Sequence, residues 1–243
     1  MTLQLLPPPD GSAAPPDDAR LTRAADILYA LLAHEASTPA SLAGAVPTGI
    51  RAFDEPTGGL PLGTVTAVVA PPGSRSTRLL LRAALHAAAR ERPTLFCALD
   101  MTLASFAYGL ADLVTGAAAG GCDPTDDAAL RNAAAELAEL PLYVEVGNTI
   151  STHDVYVVAE NELIDFVVVD NFRLLLPSGS ATELKHCTTD LNVATLASTT
   201  RAGSDDEVDV RVLGADLLGA ADTIAWCDPS EQSCRVVVTR AWR

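Results

Sequence analysis

At 243 residues the chain has room for one sizeable domain with an appendage, or for two small domains. Hydrophobic residues make up 49% and charged residues 19%, a balance that supports a packed core and excludes a chain disordered throughout. Acids outnumber Lys plus Arg by 31 to 16, a formal charge of −15, so the surface repels nucleic acid on average and any contact with it requires a local basic patch.

Residues 1–16 are rich in proline and small residues and read as a flexible tail. They lack the basic flank and long apolar run of a signal peptide, and no apolar stretch in the chain suggests a membrane span; a soluble cytoplasmic protein is the expectation. From Asp17 to about Ser37, Leu21, Ala24, Ala25, Ile27, Leu28, Leu31 and Leu32 recur at helical spacing, and Asp17 and Asp18 suit the helix start. The apolar stripe of this helix packs either on its own domain or on a neighbouring subunit. A linker from Thr38 to Pro47 completes a segment spanning 17–47.

Strands and helices then alternate. Thr64–Ala70 is β-branched and apolar, a buried strand; Ser76–Arg92 is helical; Thr94–Leu99 is a strand. Thr102–Thr115 and Asp126–Leu140 are predicted helices, Leu142–Val146 a strand and Thr152–Leu163 a helix. Phe166–Val169, within Asp165–Asp170, is a strand with no polar face. Ala181–Leu191 is helical and Val193–Ala197 a strand. Thr223–Cys227 and Arg235–Thr239 form a terminal hairpin around Asp228–Ser233. Strands apolar on both faces with helices between them predict an α/β fold: a mostly parallel, twisted sheet with helices on both faces and a C-terminal antiparallel hairpin. Ligands of such sheets sit at the carboxyl ends of the strands, here the loops after Ala70, Leu99, Asp170 and Ala197.

The five cysteines form no C-x-x-C pair; the nearest two, Cys227 and Cys234, lie across a predicted turn. Reduced thiols and no zinc site are expected. The four histidines, His34, His86, His153 and His186, are scattered and read as surface or packing residues.

Ala70-Pro71-Pro72-Gly73-Ser74-Arg75-Ser76-Thr77 joins the first long strand to a helix, where a phosphate-binding loop of the form G-x-x-x-x-G-K-[ST] belongs. In such a loop the glycines let backbone N–H groups wrap the phosphates, the lysine reaches the β and γ phosphates, and the hydroxyl holds magnesium. Here Ala70 stands for the first glycine, Arg75 for the second and Ser76 for the lysine, while Thr77 keeps the hydroxyl. The only lysine in the chain, Lys185, lies more than a hundred residues downstream. Arg75 and Arg78 are the nearby cations, and an arginine is not equivalent to a lysine in a tight cradle. An ordinary strand–turn–helix connection is the plain alternative.

The segments around this loop resemble the RecA-like motor domain of DnaB-type replicative DNA helicases. Thr48-Gly49-Ile50-Arg51-Ala52-Phe53-Asp54 with Gly58-Gly59-Leu60-Pro61-Leu62-Gly63 is similar to that family's lead-in. Ala98-Leu99-Asp100-Met101 resembles its S-L-E-M strand end, and Leu140-Pro141-Leu142-Tyr143-Val144 the entry to its next strand. Phe166-Val167-Val168-Val169-Asp170 followed by Asn171-Phe172-Arg173-Leu174-Leu175 resembles its Walker B strand and the D-Y-L-Q-L continuation. Residues 190–199 resemble E-L-N-V-P-V-I-A-L-S-Q, and residues 236–243 the strand carrying K-x-R. The likeness runs in order from about Thr48 to Arg243, so 48–243 is expected to form the RecA-like domain.

The resemblance implies ATP with magnesium, a nucleotide site at Gly73, Ser74, Arg75, Ser76, Thr77 and Asp170, with Thr77 and Asp170 on the metal, and Asp100 in the place of the catalytic acid, one methylene shorter than glutamate. It implies Arg240 and Arg243 as cations acting on a neighbour's nucleotide, and rings or protein partners. Two family glutamines are replaced, by Arg173 and Thr199. The loop 201–209 carries Asp205, Asp206, Glu207 and Asp209 where the family faces single-stranded DNA, so direct DNA binding is not expected. Three readings remain open at this point. The first is a degenerate, non-hydrolysing assembly or regulatory subunit related to DNA replication, docking through the 17–37 helix, on a helicase ring among other partners. The others are a divergent active ATP-dependent helicase, and a nucleotide sensor that binds without hydrolysis.

Overall fold

In the computed structural model the runs that lack a polar face enter one sheet, because only a sheet covered on both sides buries every residue of a strand. The structure describes residues 44–71, 76–114, 127–147, 149–175, 181–200, 220–228 and 233–239, all within the compact unit Gly44–Arg243. The predicted tail and the amphipathic helix over 17–37 lie outside them.

The elements are β1 (Ala45–Val46), α1 (Arg51–Thr57), β2 (Leu60–Pro61), β3 (Val65–Ala70), α2 (Ser76–Ala88), β4 (Thr94–Ala98), α3 (Leu103–Val114), α4 (Asp127–Leu137), β5 (Leu142–Val146), α5 (Thr152–Asn161), β6 (Phe166–Asp170), a 3-10 turn (Phe172–Leu174), α6 (Ala181–Asp190), β7 (Ala194–Thr200), β8 (Thr223–Asp228) and β9 (Ser233–Thr239). Among the described residues the main sheet has the order β5-β4-β6-β7-β3-β8-β9. All of its pairings are parallel except β8 with β9, the expected terminal hairpin. The fold is α/β with a mostly parallel sheet, as the alternation of elements predicts.

Successive strand residues face opposite layers. Val68, Ala70, Phe96, Ala98, Phe166, Val168 and Leu196 pack with α2, through Leu79, Leu80, Ala83, Ala84 and Ala87, and with Phe106 of α3. Ala67, Val69, Leu95, Cys97, Val167, Val169 and Ala197 pack on the other face with Val155 and Ala159 of α5 and Leu184 and Cys187 of α6. Each face is a separate apolar layer.

The lead-in closes one flank. β1 begins in the last residues of the stretch read as a linker and pairs antiparallel with β2, Val46 opposite Leu60. The Asp54 carboxylate accepts hydrogen bonds from Thr48 N (2.9 Å), Thr48 Oγ1 (2.9 Å) and Gly49 N (2.7 Å), tying the chain before α1 to the helix itself. Gly59 has φ 138° and passes so close to the neighbouring strand that a Cβ there stands 2.1 Å from Val46 O. These contacts give the T-G-x-x-x-x-D … G-G-L spacing a structural cause.

Candidate functional site

Strand register sets the site. Ala98, the last residue of β4, is level with Asp170, the last of β6, and Val169 is level with Ala197 of β7. β7 lies between β3 and β6, and Ala70 at the end of β3 is level with Thr200. The residues before the phosphate-loop segment, the Walker B-like aspartate and Asp100 therefore meet at one carboxyl edge, although they are up to a hundred residues apart in sequence.

Asp170 is the centre of this edge. It is 5% exposed, and both of its oxygens are engaged. Thr77 Oγ1, in the first turn of α2, donates to Oδ2 (2.7 Å), and Ser198 Oγ of β7 donates to Oδ1 (2.8 Å). Ser198 Oγ in turn accepts from Asn171 N (2.8 Å). Asn171 takes a left-handed conformation, φ 59° and ψ 61°, which asparagine tolerates better than most residues. Its Nδ2 donates to Asp100 Oδ2 (3.2 Å) across the β6–β4 boundary. One continuous polar chain thus links Thr77, Asp170, Ser198, Asn171 and Asp100. Burial raises the Asp170 carboxyl above the ordinary aspartate range; the Thr77 and Ser198 hydroxyls and the Asn171 backbone N–H oppose this, and the nearby Asp100 charge adds to it.

The cations are disposed differently. Ser76, at the position of the expected lysine, is 8% exposed at the start of α2. Arg78 turns to α3 and donates through Nη1 to Asp112, a mostly buried carboxylate. Lys185 lies at the other edge of the sheet. Its Nζ donates to Asp222 Oδ2 (2.6 Å) and Gly63 O (3.0 Å), and Asp222 Oδ2 also accepts from Val65 N, the first residue of β3 (2.8 Å). The ammonium is fixed at the amino end of the strand whose carboxyl end leads to the phosphate-loop segment. Six strand residues at about 3.3 Å each separate the two ends of β3 by roughly 17–20 Å.

The structure thus brings together three of the residues singled out in the sequence: Thr77, Asp170 and Asp100. Gly73, Ser74 and Arg75, the acidic loop over 201–209, Arg240 and Arg243 lie outside the described residues. Ser198 and Asn171 carry roles that sequence reasoning does not assign. The available sequence signal for Ser198 is only its place just past the strand predicted over Val193–Ala197.

Thr77 and Asp170 suit a magnesium ion: a hydroxyl and a carboxylate are hard oxygen donors, placed against each other at the helix start. No group of three or more His, Cys, Asp or Glu side chains poised to hold a metal occurs among the described residues. Cys97 and Cys187 are free, and burial pushes their thiols up to about 12 and about 11, so neither is a ready thiolate. No helix among the described residues is long and apolar enough to cross a membrane.

No family model matches the chain, and no curated protein matches it in sequence. Solved structures do match in fold. A DnaB-like replicative helicase, described with its interactions with primase, superposes with a TM-score of 0.65 at 17% identity; the match covers 84% of this chain and 56% of that one, so this chain spans little more than half of that helicase. A second solved structure, of an ATPase domain on its own, superposes with a TM-score of 0.71 at 15% identity, covering 90% of this chain and 92% of that domain. The chain therefore has the RecA-like fold found in the ATPase domains of DnaB-type helicases.

Proposed function

We propose that this chain is a helicase-fold subunit that keeps the motor-domain scaffold for assembly or regulation in DNA replication and does not hydrolyse ATP. One observation carries the reading: a buried serine stands at the lysine position, and the only ammonium is engaged at the opposite end of β3. A triphosphate at the carboxyl edge brings several negative charges next to the buried Asp170. Arg78 is already paired with Asp112, which leaves Arg75 as the cation nearest in sequence. In this reading the 17–37 helix docks on a neighbouring subunit, a helicase ring being the partner that the fold suggests, in the cytoplasm. The four carboxylates in 201–209 keep the chain off single-stranded DNA. Arg240 and Arg243, at the end of the chain, are the candidates for contact with a neighbour's nucleotide.

A second reading, a nucleotide sensor without hydrolysis, draws on the Thr77–Asp170–Ser198 hydrogen bonds. These keep the magnesium half of the site; the ion, held by Thr77 and Asp170, neutralises phosphate charge when bound. A thermal-shift titration with ATP and magnesium, run beside a phosphate-release assay, separates the readings. The scaffold reading expects neither a shift nor release, and a shift without release selects the sensor. Phosphate release that disappears in Asp100→Asn overturns both and makes the chain a divergent ATPase.

A further inference from the structure

The first turn of α2 holds a cation in an unfavourable place. Arg78 follows Thr77, whose hydroxyl meets Asp170 (2.7 Å), so its Cα stands about 3.8 Å from that of a residue at the carboxyl edge. The turn carries no acidic residue, and the positive end of the helix dipole repels an unpaired cation there. A helix advances roughly 100° per residue, so Arg78 points away from Thr77, and its Nη1 donates to Asp112 Oδ2 on α3.

Asp112 has the complementary problem. It is 8% exposed, and among the described residues Arg78 is the cation paired with it. Its other oxygen, Oδ1, is buried with no hydrogen-bond partner among the described residues. A buried carboxylate is costly unless paired, and removal of its one partner strands the charge. The side chain of Arg78 is 38% exposed against 12% for that of Asp112, so the carboxylate depends on the pair more than the guanidinium does.

We infer that Asp112 is a latch: it withholds the Arg78 guanidinium from anions at the amino end of α2, and loss of the carboxylate releases the guanidinium to them. The inference rests on the reading above, that this edge lacks a counter-charge for phosphates. With Asp112 neutral, Arg78 is again an unpaired cation at the positive end of a helix. A polyphosphate seated on the N–H groups of that helix end supplies the missing negative charge, and Arg78 binds it through charge-assisted hydrogen bonds.

The test is calorimetry on the full chain with magnesium tripolyphosphate, which carries the charge of a nucleotide's phosphates without base or sugar. Asp112→Asn is expected to bind it about tenfold tighter than the parent or more. The gain disappears in Asp112→Asn/Arg78→Gln and survives in Asp112→Asn/Arg82→Gln, which has the same net charge and loses an exposed arginine one turn on. Arg78→Gln alone leaves the parent's affinity unchanged. Stability gives a second readout: Arg78→Gln strands the buried carboxylate and melts lower than Asp112→Asn, which leaves an arginine that water can solvate. Asp112→Ala carries the same expectations where the asparagine variant fails to fold. Affinity in both Asp112 variants no tighter than the parent's, a gain that persists without Arg78, or the reverse order of melting overturns the inference. Phosphate release from ATP by the parent, assayed in parallel, overturns the non-hydrolysing reading and leaves the latch standing, so the two failures are distinct.

Discussion

Replacing Lys185 by methionine tests where the only ammonium of the chain acts. Methionine keeps most of the aliphatic stem and removes two hydrogen bonds, to Asp222 Oδ2 and to Gly63 O. A charge-assisted hydrogen bond contributes about 1.5–3 kcal/mol. About a quarter of each side chain is open to water, 27% for Lys185 and 22% for Asp222, so screening brings the pair down to about 1–2 kcal/mol. The lost bond to the Gly63 carbonyl adds roughly 0.5 kcal/mol. Asp222 keeps its bond from Val65 N, which limits the damage. The sum, about 2 kcal/mol, lowers the Tm of a domain this size by about 4–8 °C. Urea unfolding and a thermal melt measure it, and the same variant is titrated with ATP and magnesium. The expected result is a less stable protein whose response to nucleotide matches the parent's. A variant as stable as the parent that has lost a nucleotide response present in the parent refutes the argument, because it places the ammonium at the phosphates.

Three further outcomes follow from the site and its frame. Asp170→Asn removes a carboxylate whose folded-state pKa is raised by burial; in the parent this group's contribution falls as pH climbs from about 4 towards the raised value, because the folded state then binds more protons than the unfolded. The variant therefore gains stability relative to the parent over that rise, and a difference that is flat with pH in paired urea melts contradicts it. Ser198→Ala removes a donor to Asp170 and an acceptor from Asn171 N, and is expected to cost about 1–3 kcal/mol in the same melts, with Ser198→Cys as the size control; a loss below the error of the melts would show that neither bond matters to the fold. Gly59→Ala sets a Cβ against Val46 O at 2.1 Å with φ held at 138°, and a loss of about 3 kcal/mol or more is expected from denaturant unfolding; a fully stable variant would show that the lead-in shifts freely.

The sheet is legible in the sequence because its strands are short apolar runs with helices between them. Leu142–Val146 is found with the predicted bounds, and Phe166–Val169 extends by Asp170 alone. Helix ends are harder. The helix from Ser76 is expected to reach Arg92 but stops at Ala88, where tight turns through Arg90 and Glu91, the latter at φ 61°, reverse the chain towards β4. α4 stops at Leu137 rather than Leu140, shortly before Pro141, whose ring disfavours helix in the residue before it. The lead-in helix α1 carries Pro56 within seven residues, so its helicity follows from the Asp54 contacts rather than from propensity.

In the site, Thr77 and Asp170 can be placed from sequence because each ends or begins an element with an unmistakable pattern. Ser198 and Asn171 cannot, since their roles depend on β7 inserting between β6 and β3, a pairing that local sequence does not encode. The destination of Lys185 is hidden for the same reason: its partners Gly63 and Asp222 are 122 and 37 residues away.

The same polar edge constrains what a nucleotide could gain here. Without a cation, Asp170 is easier to hold protonated than an exposed aspartate, and two hydroxyls compensate its charge when it ionises. A divalent ion reverses that preference, because a cation beside a buried carboxylate favours the ionised form. Any affinity of this edge for a triphosphate therefore depends on magnesium more steeply than in a site that also has a lysine, where a second positive charge shares the phosphates. Lys185 is fixed at the far end of β3 and Arg78 is held by Asp112, so neither supplies that second charge as they stand, and Arg75 is the cation nearest in sequence. In the proposed reading, a scaffold with no such donor keeps the Thr77–Asp170 corner but lacks a counter-charge for the phosphates, and that is the physical basis on which the proposal separates fold from turnover.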